Sequence, residues 1–291
     1  MSGEKDQSLA VGGQALIEGV MMRSGGKMVI CVRQPDNEIA THTIEIKNIT
    51  KRVKPLGLPF IRGIAMLFET MYYGVKSMMY SANVALEEED EEFGLFDYIL
   101  LIVMLVVMNG VFIAVPFILT NWLGLTGIIF NIVESLVKFA MFTVYLWGIS
   151  KWGEVARVLQ YHGAEHKTIN AYEAGADLNA ETVASFSRLN PRCGTSFLFL
   201  TVLVSMTLYA FIPTTTFALR LGYRLALMPL IAGASYEVLK LSDKYRDSSI
   251  MKLIIKPGLA FQAFTTQEPT NEMIEVAIMS LKKVKGIETS E

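Results

Sequence analysis

The stretch ILLIVMLVVMNGVFIAVPFIL, residues 99–119, contains no charged residue and is long enough, at about 1.5 Å per helical residue, to cross a hydrocarbon core of about 30 Å. Tyr98 and Trp122 flank it, as aromatic residues often do at a membrane–water interface. The composition agrees, because hydrophobic residues make up 52% of the chain and charged residues only 19%, with a mean hydropathy of +0.39. This stretch therefore predicts an integral membrane protein whose partner is the lipid bilayer.

Three further stretches predict crossings, so the expected fold is mainly α-helical with about four transmembrane helices. They are residues 125–149, 194–213 and 225–236. The last is short enough to be a re-entrant or buried helix, unless the flanking Arg224 and Lys240 extend it by reaching toward the interface.

Two charged residues, Glu134 and Lys138, lie inside the second predicted span. At a separation of four residues they share one helix face, where each can offset the other's cost of leaving water. They indicate either a structural ion pair turned toward neighbouring helices or charged groups that line a pathway.

Basic residues are concentrated between the second and third spans and after the fourth, whereas the other two connections carry few. The positive-inside rule then places both termini and the central segment in the cytoplasm. The predicted order is an N-terminal region (1–96), a transmembrane hairpin (97–150), a central segment (151–193), a second hairpin (194–241) and a C-terminal region (242–291).

The predicted cytoplasmic part is α+β. Residues 27–33 and 39–47 alternate around a Pro-Asp-Asn turn and predict a β-hairpin. Apolar residues at helical spacing over 60–85 predict a helix on the membrane surface or the bundle, and 271–285 reads as an amphipathic helix. The glycine-flanked GGQALIEGVMMR, residues 12–23, indicates a tight turn that enters the β region and carries Glu18.

Charge and cysteine content exclude several classes. The 26 Lys and Arg residues nearly balance the 28 Asp and Glu residues, so we expect no nucleic-acid partner. Cys31 and Cys193 lie far apart in unlike contexts, which favours reduced thiols. The polar N-terminus does not indicate a cleaved signal peptide.

The segment YHGAEHK, residues 161–167, holds two of the three histidines in the chain. A helix over 151–174, ended by Gly175, places His162 and His166 one turn apart on one face, with Glu173 at nearly the angle of His162 and Glu165 to the side. Such a face offers nitrogen and carboxylate ligands for a divalent metal such as zinc. The order His-x-x-Glu-His also occurs in inverzincins, where the Glu is the general base. The segment is compatible with a structural cluster, a bound metal or a peptidase site.

Two other segments could contribute to a site. Cys193, in NPRCG at the mouth of the third predicted span, could complete a metal site as a thiolate, although Pro and Gly there also suit a helix start. Residues 256–269 gather polar groups without periodicity, which indicates a substrate-binding loop or a loop satisfied by its own side chains. These polar groups are Gln262, Thr265, Thr266 and Glu268.

Four ordered motifs, GGQALIEGVMMR, YHGAEHKTINAYE, PRCGTSF and PGLAFQAFTTQEP, resemble those of the YqhQ-like family of bacterial membrane proteins, domain of unknown function 1385. The resemblance implies a predicted metal-dependent enzyme in a bacterial inner (plasma) membrane. The resemblance implies that the site residues are His162, Glu165 and His166, together with Glu18 and Cys193. The resemblance also implies a histidine in many relatives at the position of Asn190, which is a poorer metal ligand.

These observations predict a multi-pass membrane protein with a cytoplasmic, metal-dependent and hydrolytic site that acts on a membrane-associated substrate. His162 and His166 bind the metal, Glu173 or Cys193 adds a ligand, and Glu165 or Glu18 moves protons. The alternative is a non-enzymatic assembly or insertion factor, or a transporter, in which the same motifs are structural.

Overall fold

Two successive hairpins form a four-stranded antiparallel sheet at the start of the fold. The structure is a computed structural model that describes residues 11–46, 54–86, 95–191, 193–211, 217–245 and 248–287. The strands follow the order β1-β2-β3-β4 and are β1 (Gly12–Leu16), β2 (Gly19–Ser24), β3 (Lys27–Arg33) and β4 (Ile39–Glu45).

The predicted hairpin is confirmed as β3–β4, with Asn37 in the turn at φ 70°. The predicted tight turn lies at residues 17–18, where it joins β1 and β2 into a hairpin, and Glu18 adopts φ 51°. Strand β2 was not predicted, because its sequence does not alternate between apolar and polar residues. Val20, Met21 and Met22 are all buried, on both faces of the sheet.

Helices make up most of the rest of the described chain. After a short 3₁₀ turn at Lys54–Gly57, they are α1 (Ile61–Leu86), α2 (Leu95–Trp122), α3 (Gly127–Ile149), α4 (Gly153–Glu173), α5 (Ala180–Ala184), α6 (Gly194–Ala210), α7 (Phe217–Lys244), α8 (Ser249–Thr265) and α9 (Asn271–Lys285).

Helices cover the sheet on both faces. Val20, Met22, Val29 and Cys31 point to one face, where they share a core with α4, α5 and α9. The alternate residues of the strands point to the other face and pack against α1. The N-terminal, central and C-terminal regions therefore meet in one folded unit, which positions α4 beside the sheet.

The apolar helices pair as α2 with α3 and α6 with α7, while α8 lies against α6 and α3. Within the described residues, Gly127–Ile149 is the helix that combines the length and hydropathy needed to cross a bilayer. In its most apolar stretch of 18 residues, 22% is buried. Shorter apolar stretches occupy Val106–Trp122 and Phe199–Ala210. A crossing at each of the other three predicted spans stays a prediction.

Glu134 is ion-paired with the buried Arg224 on α7, a partner that the sequence did not indicate. The Lys138 ammonium instead lies 5.8 Å from the ring centroid of Tyr209. Both side chains of the Glu134–Arg224 pair are almost fully buried. Arg224 therefore turns into the bundle, where the pair favours the structural interpretation of Glu134.

The prediction of a non-periodic loop over residues 256–269 is wrong for most of its length. Helix α8 continues to Thr265 and contains Pro257, and only the residues that follow Thr265 form a connection to α9. The polar residues that suggested a loop make hydrogen bonds at the C-terminal end of this helix, described below.

Candidate metal centre

His162, His166 and Cys193 converge in the structure. Their candidate ligand atoms all lie within 4.8 Å of one another. Helix α4 carries both histidines one turn apart, with ring centroids separated by 4.4 Å. Cys193 directly precedes α6, and its Sγ lies 3.2 Å from Nε2 of His162. The predicted trio of two imidazoles and one thiol is therefore brought together from two separate parts of the chain.

Backbone carbonyls fix the orientation of both rings. Nδ1 of His162 lies 2.6 Å from the Thr265 carbonyl oxygen, and Nδ1 of His166 lies 2.6 Å from that of Arg188. A carbonyl only accepts hydrogen bonds, so each Nδ1 carries the proton and each Nε2 presents a lone pair. This is the arrangement in which protein histidines bind metals.

One of the two lone pairs has no other role in the described structure. Nε2 of His166 is buried and has no hydrogen-bond partner there, and the whole residue is 1% exposed. An unsatisfied buried polar atom costs roughly 1–3 kcal/mol. A bound cation would remove that cost.

Gln262 holds the backbone that leads to Cys193. Its side-chain oxygen accepts the Asn190 N–H at 2.9 Å, and its amide nitrogen donates to the Asn190 carbonyl at 2.7 Å. Nearby, the Arg188 guanidinium donates to the Thr266 carbonyl at 2.6 Å. Residues 188–190 and the end of α8 are thereby tied together, and each contributes a carbonyl that accepts from a histidine.

A glycine allows the same connection to lie directly on α4. A Cβ at Gly163 would lie 2.0 Å from the Gln267 carbonyl oxygen. Gln267 also donates its N–H to the Leu159 carbonyl and its side-chain amide to the Ser150 carbonyl. This close approach holds Thr265 at hydrogen-bonding distance from His162.

Glu165 lies beside the three candidate ligands. Its Oε2 is 3.9 Å from Nε2 of His162. Burial raises the pKa of the Glu165 carboxyl to about 7, a shift that the nearby His162 opposes. Together with the trio, Glu165 lines a cavity of about 100 Å³ that also includes Gly13 and Asn190. Asn190, where the resemblance implies histidine, therefore faces the same space.

The other two predicted site residues lie elsewhere. Both carboxylate oxygens of Glu18 accept from the Arg157 guanidinium, and one also lies 3.1 Å from the Tyr161 hydroxyl. Glu18 lines a separate cavity of about 610 Å³. Glu173 is not part of the trio, because it follows His166 by seven residues and is displaced by about 10 Å along the helix axis.

The donor set fits a zinc-like ion. Zn²⁺ favours nitrogen and sulfur ligands at about 2.0–2.3 Å, which separates tetrahedral ligands by about 3.3–3.8 Å. The three atoms, within 4.8 Å of one another, need to approach by little more than about 1 Å. Three protein ligands beside a small cavity leave a fourth position for a water molecule or a substrate.

Sequence reasoning missed Gln262, Arg188 and Thr265 as residues that build the centre. Two of them act through their backbone carbonyls, which carry no side-chain signal. The polar character of Gln262 was visible, but its role in binding the backbone of Asn190 requires the fold.

Comparison with known proteins extends over nearly the whole chain. The family model described as "Protein of unknown function (DUF1385)" matches residues 58–286. The chain is 37% identical over 299 aligned residues to "Uncharacterized protein YqhQ" of Bacillus subtilis (strain 168), with 96% of this chain and 93% of that protein covered. No solved structure matches.

Proposed function

This chain belongs to the DUF1385 family, and from that premise we propose that it is a bacterial membrane protein with a metal-dependent hydrolytic site on the cytoplasmic face. His162, His166 and Cys193 would hold a divalent ion of the zinc class. The observation that carries the proposal is the buried Nε2 of His166, which has no partner within the described residues while its Nδ1 is fixed by a carbonyl.

Membrane insertion as four helices in two hairpins is supported by apolar surface outside the folded unit that the sheet forms with α1, α4, α5 and α9. Helices α2, α3, α6 and α7 all expose large apolar side chains, as Val106, Val144, Leu203 and Met228 illustrate. Contiguous apolar surface of this kind needs lipid or another apolar partner. Gly127–Ile149 already has the length and hydropathy of a crossing helix.

The residues around the centre suit hydrolysis. A zinc-class ion supplies Lewis acidity and lowers the pKa of bound water. Glu165 lines the cavity beside the three ligands, where it can take a proton from an attacking water and return it to the leaving group. Glu18 is excluded from that role in this proposal, because Arg157 and Tyr161 already occupy its carboxylate.

Metal analysis of purified protein tests the metal centre. We expect about one zinc-class ion per wild-type chain and a large loss in His166→Ala and Cys193→Ser. His42→Ala is the matched control, since His42 lies on β4 with its ring 4.9 Å from Tyr80. Equal metal content in wild type and His166→Ala would contradict the proposal.

Catalysis is tested separately with Glu165→Gln. This variant should keep its metal but lose hydrolysis by about 10²–10⁴-fold, the usual contribution of a general base. Bacterial lipid extract is incubated with wild type or variant, and mass spectrometry follows species that gain water. Identical product profiles would argue against a hydrolytic role for Glu165.

A second candidate function is acyl transfer by a Cys193–His162 pair without metal. The 3.2 Å contact between Sγ and Nε2, with Nδ1 bound to a carbonyl, is the geometry of an activated thiol. The thiolate would attack a carbonyl carbon, the leaving group would take the proton from His162, and water would hydrolyse the thioester. This mechanism gives no role to Nε2 of His166, so the metal centre remains the primary proposal.

A further inference from the structure

A third cavity lies along the helices that approach the metal centre. It has a volume of about 470 Å³, within the range of about 300–1,000 Å³ that small organic ligands occupy. Its walls come from α3, α6 and α8, and we call it the α6–α8 crevice. Phe199, Leu203 and Met206 line it from α6, and Pro257, Ala260 and Phe264 line it from α8.

The crevice offers no polar group to a ligand. Thr143 on α3 is the one polar side chain among its lining residues, and its hydroxyl already donates to the Phe139 carbonyl at 2.9 Å. The remaining lining side chains are aliphatic or aromatic. The occupant must therefore be apolar here, because a polar group would lose its hydrogen bonds with water, and a hydrocarbon chain meets this condition.

The crevice is aligned with the metal centre. Helix α6 starts directly after Cys193, so Phe199 lies about 9 Å along the helix from that ligand. At the same end, Phe264 of α8 adjoins Thr265, whose carbonyl holds His162. Met206 and Pro257 lie on the same helices farther from the centre. The end of the crevice formed by Phe199 and Phe264 therefore lies nearer to the trio than the end formed by Met206 and Pro257.

Helix α8 contacts the α6–α8 crevice with one face and the metal centre with another. Ala260 and Phe264 face the crevice, whereas Gln262 and Thr265 hold the centre. Since Gly127–Ile149 also forms a wall and is apolar enough to cross a bilayer, the crevice opens where phospholipid acyl chains are present.

We propose that the α6–α8 crevice binds one acyl chain of a membrane phospholipid and thereby presents the polar head of that lipid to the metal centre. This inference rests on the proposed function, because it names the substrate class of the same site. It makes the expected substrate an amphiphile whose head can reach Cys193 while its tail stays in the hydrocarbon core.

Photo-crosslinking in nanodiscs of phosphatidylethanolamine and phosphatidylglycerol tests the crevice. The probe is phosphatidylglycerol with a diazirine midway along one acyl chain, and crosslinked peptides are mapped by mass spectrometry. Ala260→Trp fills the crevice, and Ala218→Trp, at an exposed position of α7, is the matched control. We expect crevice crosslinks to fall about tenfold in Ala260→Trp only, since excluding roughly two methylene groups gives that factor.

Metal content of the same preparations separates this inference from the proposed function. Ala260→Trp should retain its metal, which also shows that it is folded. A metal-binding wild type whose crosslinks are unchanged by Ala260→Trp would overturn the crevice alone. A wild type without metal that keeps the crevice crosslinks would overturn the proposed function and the presentation of the head, leaving a lipid site.

Discussion

The two histidines of the centre owe their ligand character to the groups behind them. The Thr265 and Arg188 carbonyls each accept from an Nδ1, and this directs both Nε2 atoms into the space beside Cys193. Histidine pairs at this spacing are common on helices, so the pair in the sequence is only suggestive. This pair differs because Nε2 of His166 is buried and has no hydrogen-bond partner among the described residues.

Zinc should stabilise the folded protein by binding to His166. A ligand that binds only the native state stabilises it by about 2.7 kcal/mol at a hundredfold excess over its dissociation constant. We expect Zn²⁺ to raise the thermal unfolding temperature of metal-stripped wild type and His42→Ala, and to leave that of His166→Ala unchanged. A zinc-induced increase in His166→Ala as large as that of wild type would show that the ion binds elsewhere.

The two cysteines should differ in alkylation. A metal-bound Cys193 thiolate is protected, so iodoacetamide labelling should rise severalfold after chelation. Cys31 should stay unlabelled in both conditions, because it is fully buried and burial raises the pKa of its thiol, with an opposing effect of the Thr41 hydroxyl. Labelling of Cys193 that a chelator does not change, with a thioester detected by mass spectrometry, would favour the metal-free Cys–His mechanism.

Among the secondary-structure elements, those with strong local signals were predicted well. Helix α9 matches its predicted bounds because Thr270 caps its start and Gly286 ends it in the left-handed conformation. The α8 helix was misread since several polar side chains without periodicity suggested a loop. Their hydrogen bonds reach distant segments, 72 residues away for Gln262 and Asn190 and 103 for Thr265 and His162. No local pattern reports such contacts.

The contact between α4 and the α8–α9 connection depends on Gly163. Gly163→Ala places a Cβ against the Gln267 carbonyl oxygen, so we expect a loss of about 1–3 kcal/mol in unfolding free energy, typical of overpacking. Thermal unfolding in detergent measures it, and metal content should fall because Thr265 moves away from His162. Gly153→Ala is the control on the same helix, as its Cβ would meet nothing within 4 Å. Equal stability of the two variants would contradict the close packing.

At the scale of the whole molecule, the sequence predicts that the main candidate residues lie on the same side of the membrane, but it does not predict that they meet. His162, Glu165, His166 and Cys193 do share a cavity. Glu173 was predicted from its angle around the helix, which ignores the rise along the axis. Glu18 was predicted from its motif, and the Arg157 that occupies it could be identified only once the sheet was docked on α4. Distances between distant segments follow from the packed core and not from the order of motifs.

That packed core restricts how the chain can cross a membrane. The N-terminal sheet, α4 and α9 share apolar contacts, and the Ser280 hydroxyl donates to the Val29 carbonyl at 3.0 Å. Segments on opposite sides of a bilayer cannot form such a core, so the number of crossings between β4 and α4 must be even, as must that between α4 and α9. In the proposed four-helix topology, the helix pairs α2–α3 and α6–α7 would each supply two crossings and so meet this condition.

Single cysteines at exposed positions test this topology with a membrane-impermeant maleimide. We expect Asn37→Cys, Asp177→Cys and Ile287→Cys to react in inverted vesicles and not in intact cells, since the basic segments favour the cytoplasm. Asn121→Cys, in the last turn of α2 before α3, should react in intact cells and serves as the opposite control. Wild type measures the background of the two native cysteines, which are buried. If any one of the three cytoplasmic positions reacts from outside while another reacts from inside, the shared core and the metal centre built on it cannot form in the membrane.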